Sequence, residues 1–285
     1  MRKSILFDKW VVASVLYVGG VIGGFTVLYD DFFPDKTQAA VQHADASHGA
    51  AENNAGNHGH EGGAEHEGSG EINTFVQSKS GELHIFLRDK TGNPVNDLEV
   101  NHEKLLHLMI VDEHLQKYDH LHPERIGEGE FRVKSDLPEG FYKAFIDIKP
   151  KGLAYHVAPV PFVVGSPGGS THSHTEGLKA DTSLTRNVDG KTVTLHLSSN
   201  QANQPAALTF DLDRTDLTPY LGAMGHVVIL DENAQEFLHV HPSNDTEPVF
   251  ETQFKKPGVY KIWAEFKQNG KVRAFPFVVE IKGED

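Results

Sequence analysis

The sequence predicts a mainly β protein, two tandem β-sandwich domains behind a single N-terminal transmembrane helix. Three observations carry this. Residues 10–29 form an uncharged run of 20 residues. From residue 72 onward the chain breaks into short alternating apolar runs separated by Gly, Pro and Asn, with no helical period of any length. And the segment that starts at His107 recurs without a gap from His226, with eight of 17 positions identical. The echo extends further: Pro257-Gly-Val-Tyr-Lys261 matches Glu139-Gly-Phe-Tyr-Lys143, and Pro276-Phe-Val-Val279 matches Pro161-Phe-Val-Val164. The duplicated unit is therefore a whole domain.

Taken in order, residues 1–9 carry Arg2, Lys3 and Lys9 against Asp8. The run at 10–29 has the length of a helix that crosses a hydrocarbon core of about 30 Å at ~1.5 Å per residue. Asp30, Asp31 and Asp35 follow it. Positive charge before and negative charge after predict a cytoplasmic N-terminus, a single-pass signal anchor in the cell membrane, and an extracytoplasmic remainder. A cleaved signal peptide is the rival reading, with Ala44-Asp-Ala46 as its small-x-small site, but that site lies far beyond the apolar run. Residues 30–71 read as a flexible tether rich in Gly, His and Glu, with no Lys or Arg after position 36. Five histidines, His43, His48, His58, His60 and His66, lie in it.

Domain 1 spans 72–165, with strands expected at 72–77, 82–88, 105–111, 118–122, 130–133, 140–148 and 156–164. A linker, 166–181, includes His172 and His174. Domain 2 spans 182–285, with strands expected at 182–187, 191–198, 207–213, 226–230, 237–241, 249–254, 258–266 and 272–281. So many short strands without a helix suggest sandwiches of immunoglobulin-like or cupredoxin-like type.

Both copies of the repeat hold the spacing His-x12-His-x-His-Pro. A symmetric hairpin about residues 112–117 sets His107 opposite His122 and Met109 opposite His120. Its counterpart sets His226 opposite His241 and Val228 opposite His239. Residues two apart share a strand face and opposed Cβ atoms lie about 5 Å apart, so three imidazoles converge in each domain. The other face carries Leu108, Ile110 and Leu121, or Val227, Ile229, Leu238 and Val240, which is the composition of a core face. The histidine face is expected to turn away from that core. Imidazole suits zinc, copper, nickel or iron. The candidate metal ligands are His107, His120, His122, His226, His239 and His241. Domain 1 adds Met109, a soft thioether that favours copper, and His102, five residues upstream of His107.

Composition narrows the partners. The net charge is −14, and because residues 1–29 carry +2 the rest carries −16, which repels nucleic acid. With no cysteine there is no disulfide, thiolate site or cysteine nucleophile.

At His102-Glu-Lys-Leu-Leu-His-Leu with Tyr118-Asp-His-Leu-His-Pro, and again at Phe237-Leu-His-Val-His-Pro242, the chain resembles a group of uncharacterised bacterial extracytoplasmic proteins that share His-Glu-Lys-x-x-His-Leu and Phe-x-His-x-His-Pro motifs. It resembles the YtkA-like β-sandwich proteins more loosely. The resemblance implies β-sandwiches outside the cytoplasm and a link to heavy metals. It supplies no activity. Tyr118 and Asp119 depart from the usual Phe and small residue, making that strand more polar.

The reading that follows is a membrane-anchored extracytoplasmic protein that binds a transition-metal ion, copper or zinc, on its histidine patches; whether a membrane transporter or sensor receives the ion is left open by the sequence. The alternative is a non-catalytic immunoglobulin-like protein-interaction module at the cell surface. Catalysis is disfavoured, since no nucleophile motif, phosphate loop or distinctive general base is present.

Overall fold

The computed structural model describes residues 70–168, 177–240, 242 and 246–283. The N-terminus 1–9, the apolar run 10–29, the tether up to residue 69, His172 and His174 of the linker, and His241 lie outside the described residues. All described residues belong to one compact unit, Ala64–Asp285. Among the described residues the regular secondary structure is strand alone, and no helix there is long and apolar enough to cross a membrane.

The first half contains β1 (Ile72–Lys79), β2 (Glu82–Asp89), β3 (Leu98–Glu99), β4 (His107–Asp112), β5 (Tyr118–Leu121), β6 (Glu124–Gly127), β7 (Glu130–Lys134), β8 (Gly140–Asp147), β9 (Lys149–Pro150) and β10 (Val160–Val164). They form one sheet of order β1-β2-β7-β6 and another of order β10-β8-β4-β5, with β3 and β9 paired apart. Alternation does the sorting: Leu83, Ile85 and Leu87 of β2 point inward while His84, Phe86 and Arg88 do not. Those leucines and Ile85 meet Leu108, Ile110, Ala144, Ile146 and Phe162 of the opposite sheet in one core. Two sheets thus enclose a single apolar layer.

The second half contains β11 (Thr185–Val188), β12 (Lys191–Leu197), β13 (Pro205–Leu212), β14 (Leu217–Thr218), β15 (His226–Asp231), β16 (Phe237–Val240), β17 (Val249–Gln253), β18 (Gly258–Gln268) and β19 (Lys271–Ile281). Its sheets run β11-β12-β13-β17 and β14-β18-β15-β16, with β19 also paired to β18. Leu208, Phe210 and Phe250 of one sheet pack on Val227, Ile229, Ile262 and Phe277 of the other.

The sequence-based strands are present, with shifted ends. The third, observed as β4, begins at His107 rather than 105, just after a turn in which Asn101 and Lys104 exchange backbone hydrogen bonds. The strand expected at 156–164 starts at Val160, after Pro159, which has no N–H for a ladder. The expected hairpin registers are observed: Met109 pairs with His120, and Val228 with His239. Each hairpin turn is tied by an aspartate. Asp112 Oδ1 accepts from the N–H groups of Gln116 and Lys117, at 2.7 and 2.8 Å, and Asp231 Oδ1 from those of Gln235 and Glu236, at 2.5 and 2.7 Å.

Strands β4 and β15 are buried on both faces. One face enters its own core. The other, which carries the histidines, is covered by the opposite half of the molecule. Met109, Val111, Leu115 and Phe145 pack there against Val228, Leu230, Ala234 and Trp263. Tyr118 stacks on Trp263 with ring centroids 4.7 Å apart, and Phe145 on Phe237 at 5.1 Å. The histidine face does turn away from its own core, as expected, but it ends in a second, shared apolar layer.

That layer makes a test. Replacing Trp263, 2% exposed, by alanine is expected to lower stability by about 3–5 kcal/mol. Phe75→Ala, at a side chain 51% exposed, should stay within about 0.5 kcal/mol of the parent. Urea unfolding measures both, and an unchanged midpoint for Trp263→Ala would mean that the halves are not packed this way in solution.

Candidate metal centre

The centre is built where β4, β5, β15 and β16 face one another. His107, the first residue of β4, is fully buried, and its Nε2 lies 2.9 Å from the Asn101 carbonyl oxygen. A carbonyl only accepts, so Nε2 carries the hydrogen and Nδ1 presents a lone pair. That Nδ1 lies 3.0 Å from His120 Nε2. His120 in turn places Nδ1 2.6 Å from Glu265 Oε2. A carboxylate also only accepts, so His120 holds its hydrogen on Nδ1, and its Nε2 faces the lone pair of His107. Two lone pairs directed at each other repel unless a cation lies between them. The His122 ring stands 5.0 Å from that of His107 and 4.7 Å from that of His120. Its Nε2 is buried without a hydrogen-bond partner among the described residues. One nitrogen from each of the three rings lies within 4.8 Å of the other two.

The turn that supplies the Asn101 carbonyl is tight, with reciprocal backbone bonds between Asn101 and Lys104 and positive φ at His102 (44°) and Glu103 (65°). Tyr220 to Ala223 repeats it, with positive φ at Leu221 and Gly222. There the Tyr220 carbonyl accepts from His226 Nε2 at 2.9 Å. His239 places Nδ1 2.7 Å from Asp147 Oδ2. The second half thus copies the arrangement of the first. Gly225, just before His226, is required by close approach, since a Cβ there would lie 2.6 Å from the Phe266 ring and 2.9 Å from the Glu265 carbonyl.

The two sets of rings are one cluster. His239 lies 5.4 Å from His107 and 5.6 Å from His120, ring to ring, and His226 lies 5.5 Å from His239. His102 sits over them, 6.4 Å from His107 and 5.9 Å from His226. Of the expected ligands, His102, His107, His120, His122, His226 and His239 are brought together. Met109 lies in the shared apolar layer with Phe145 and Trp263. His241 is outside the described residues.

Sequence reasoning missed Asp147 and Glu265. A signal was available, because each stands five residues after the tyrosine of the echoed Gly-x-Tyr-Lys segment. An acid at the same place in both copies, on strands that pair with β4 and β15, pointed at the histidines. Register puts His107 opposite Asp147 and His226 opposite Glu265.

Burial favours the neutral form of four of these imidazoles, His102, His107, His122 and His239. It drives His107 down to about 4, with the charges of His120 and His102 adding to it and the Asn101 hydrogen bond and Asp147 opposing it. It drives His122 to about 3, with His120, His107 and Lys104 adding to it. His239 and His102 are lowered as well, again chiefly by burial. Near neutral pH the converging nitrogens of His107 and His122 therefore offer lone pairs rather than protons.

The family described as Domain of unknown function (DUF8832) matches residues 62–166 and 186–283. No curated protein matches the chain. Among solved structures, the FN1-FN3 domains of chicken CNTN1 align at 10% identity over 73% of this chain and 65% of theirs, with a TM-score of 0.20. FdeC, an adhesin of Escherichia coli, aligns at 15% identity over 76% of this chain and 65% of its own, with a TM-score of 0.22. The chain thus spans less than two thirds of the length of either.

The depressed histidines give the metal-free protein a signed pH dependence. Unfolded histidines take up protons near the ordinary value of 6.5, whereas folded His107 and His122 resist until about 4 and about 3. Between those limits the unfolded state binds more protons, so stability is full above 6.5 and falls as pH drops toward 4. Urea midpoints should decline between pH 6.5 and 5, above the range where most carboxylates titrate. A flat profile there would contradict the burial described.

Proposed function

We propose that this chain, which belongs to the DUF8832 family, binds a divalent transition-metal ion, copper or zinc, on His107, His120 and His122. The convergence of three buried ring nitrogens within 4.8 Å carries the reading. Fixed tautomers support it, because the outer nitrogens of His107 and His120 are occupied by Asn101 and Glu265. An ion with bonds of about 2.0–2.1 Å to imidazole spreads its tetrahedral ligands to roughly 3.3 Å. The 3.0 Å gap between His107 Nδ1 and His120 Nε2 is a few tenths of an ångström from that spacing. His239, its ring 5.4 Å from that of His107 and 5.6 Å from that of His120, is the nearest further imidazole, with His102 at 6.4 Å from His107.

Each half is further read as an immunoglobulin-like sandwich. The order β1-β2-β7-β6 against β10-β8-β4 reproduces the A-B-E-D and G-F-C sheets of that fold, with β5 added beside C. A tyrosine corner supports the same reading in both halves. Tyr142 donates its hydroxyl to the Pro138 carbonyl at 3.0 Å, and Tyr260 to that of Lys256 at 2.8 Å, each four residues upstream. The apolar run at 10–29 and the charges around it support a membrane anchor with the metal site outside the cytoplasm.

Calorimetric titration of Zn(II) and Cu(II) into the full chain, beside a variant with His107, His120 and His122 changed to alanine, tests the assignment. One tight equivalent, micromolar or better, is expected in the parent and absent from a variant that still unfolds cooperatively in urea. Tight binding that survives the substitutions would place the metal elsewhere, with the histidines of residues 43–66 as the first alternative.

A further inference from the structure

The donor rings of the triad belong to the first half, yet the group that fixes one of them comes from the second. The His120 and Glu265 side chains are buried, at 0% and 5% exposure, and bond across the contact between halves. His239 and Asp147 bond in the opposite direction at 3% and 17% exposure. The two carboxylates occupy equivalent places. Asp147 is laddered opposite His107, and Glu265 opposite His226, so each stands beside the first histidine of its own half and reaches the second histidine of the other.

We propose that Glu265 is a positioning residue for metal binding, crossing from the second half to hold His120 with its hydrogen on Nδ1 and its Nε2 turned to the ion. The first-half triad then reaches full affinity only with the second half clasped onto it. This deepens the metal reading above and rests on it.

The argument is one of proton placement. A neutral imidazole has a single N–H, and whichever nitrogen carries it is lost as a ligand. Bonding Nδ1 to a carboxylate at 2.6 Å commits the hydrogen to the far side of the ring and leaves Nε2 as donor. Without that acceptor the Nε2–H tautomer becomes available, and it puts a hydrogen where the ion belongs. The surrounding layer of Met109, Phe145, Val228 and Trp263 excludes water that would otherwise stand in for the carboxylate. Partners of metal-bound histidines of this kind are worth about 10–100-fold in affinity.

The experiment uses the full chain, zinc as the probe, a competing chromophoric chelator to read affinity, and the ring 15N spectrum of the metal-free protein to read tautomers. Glu265→Gln is expected to weaken zinc about 10–100-fold and to disturb the His120 ring signals. In the unmodified chain His120 should show a protonated Nδ1 and a lone pair on Nε2. Asp147→Asn removes an equivalent bond between halves from a ring outside the triad, and should weaken zinc less. Equal losses in the two variants would make docking of the halves, not ring orientation, the cause, and would overturn the assignment. So would parental zinc affinity in Glu265→Gln, or an Nε2–H tautomer of His120 in the unmodified chain. The last measurement needs no variant to fold. Failure of the unmodified chain to bind zinc would sink the metal reading itself, a result distinct from each of these.

Discussion

Two hydrogen bonds that cross between the halves, His120 to Glu265 and His239 to Asp147, set the terms for the rest of the molecule. Each joins a buried ring to a carboxylate that is almost or mostly out of water. A charge moved from water into a protein interior loses several kcal/mol of solvation unless a partner of good geometry meets it. The two halves therefore have one docking arrangement in which both carboxylates are met, and any rotation or slide strands them. The bonds set register between halves more than they add stability. That is the role for which buried polar pairs are best attested.

The cohesion comes from the layer around them. Met109, Val111, Leu115 and Phe145 against Val228, Leu230, Ala234 and Trp263 is an apolar contact in which each member has a counterpart in the other half. The stacked pairs Tyr118–Trp263 and Phe145–Phe237 are exchanged in the same way. Reciprocity of this kind is the pattern of an isologous contact between identical subunits, here drawn inside one chain. Nothing in the structure explains the Tyr118 hydroxyl, which is buried with no hydrogen-bond partner among the described residues. Phe237, at the equivalent place, has none to bury.

Much of this was legible in the sequence because it depends on local rules. Strand alternation, the symmetric turn and the period of two between face-sharing residues placed Met109 opposite His120 and Val228 opposite His239 before any coordinates. Asp112 and Asp231, together one of the eight identities, turn out to tie the hairpin turns, so part of the repeat is architecture rather than chemistry. What the sequence could not supply was the contact between halves. A strand face that carries histidine, methionine and valine reads as semi-polar surface, and only a matching face elsewhere in the chain converts it into interior. Asp147 and Glu265 were missed for the same reason, since their partners lie 92 and 145 residues away on the opposite half.

Duplication accounts for the cluster and divergence for its asymmetry. Two copies of one sandwich that meet through the same face bring both sets of histidines together automatically, and the centre where they meet is shielded by both. From that start, each change near the axis counts once rather than twice. Met109 faces Val228 as its counterpart, Asp147 has Glu265, and His102 has Leu221. Only the first half places an imidazole on the turn above the cluster. His102 occupies it in a left-handed conformation that a non-glycine residue adopts at some cost. That turn brings the His102 ring to 6.4 Å from His107 and 5.9 Å from His226, while the longer acid of the second half crosses to His120. The asymmetry lies in what each half adds at the axis: the first an imidazole on its turn, the second a longer acid on the strand that pairs with β15.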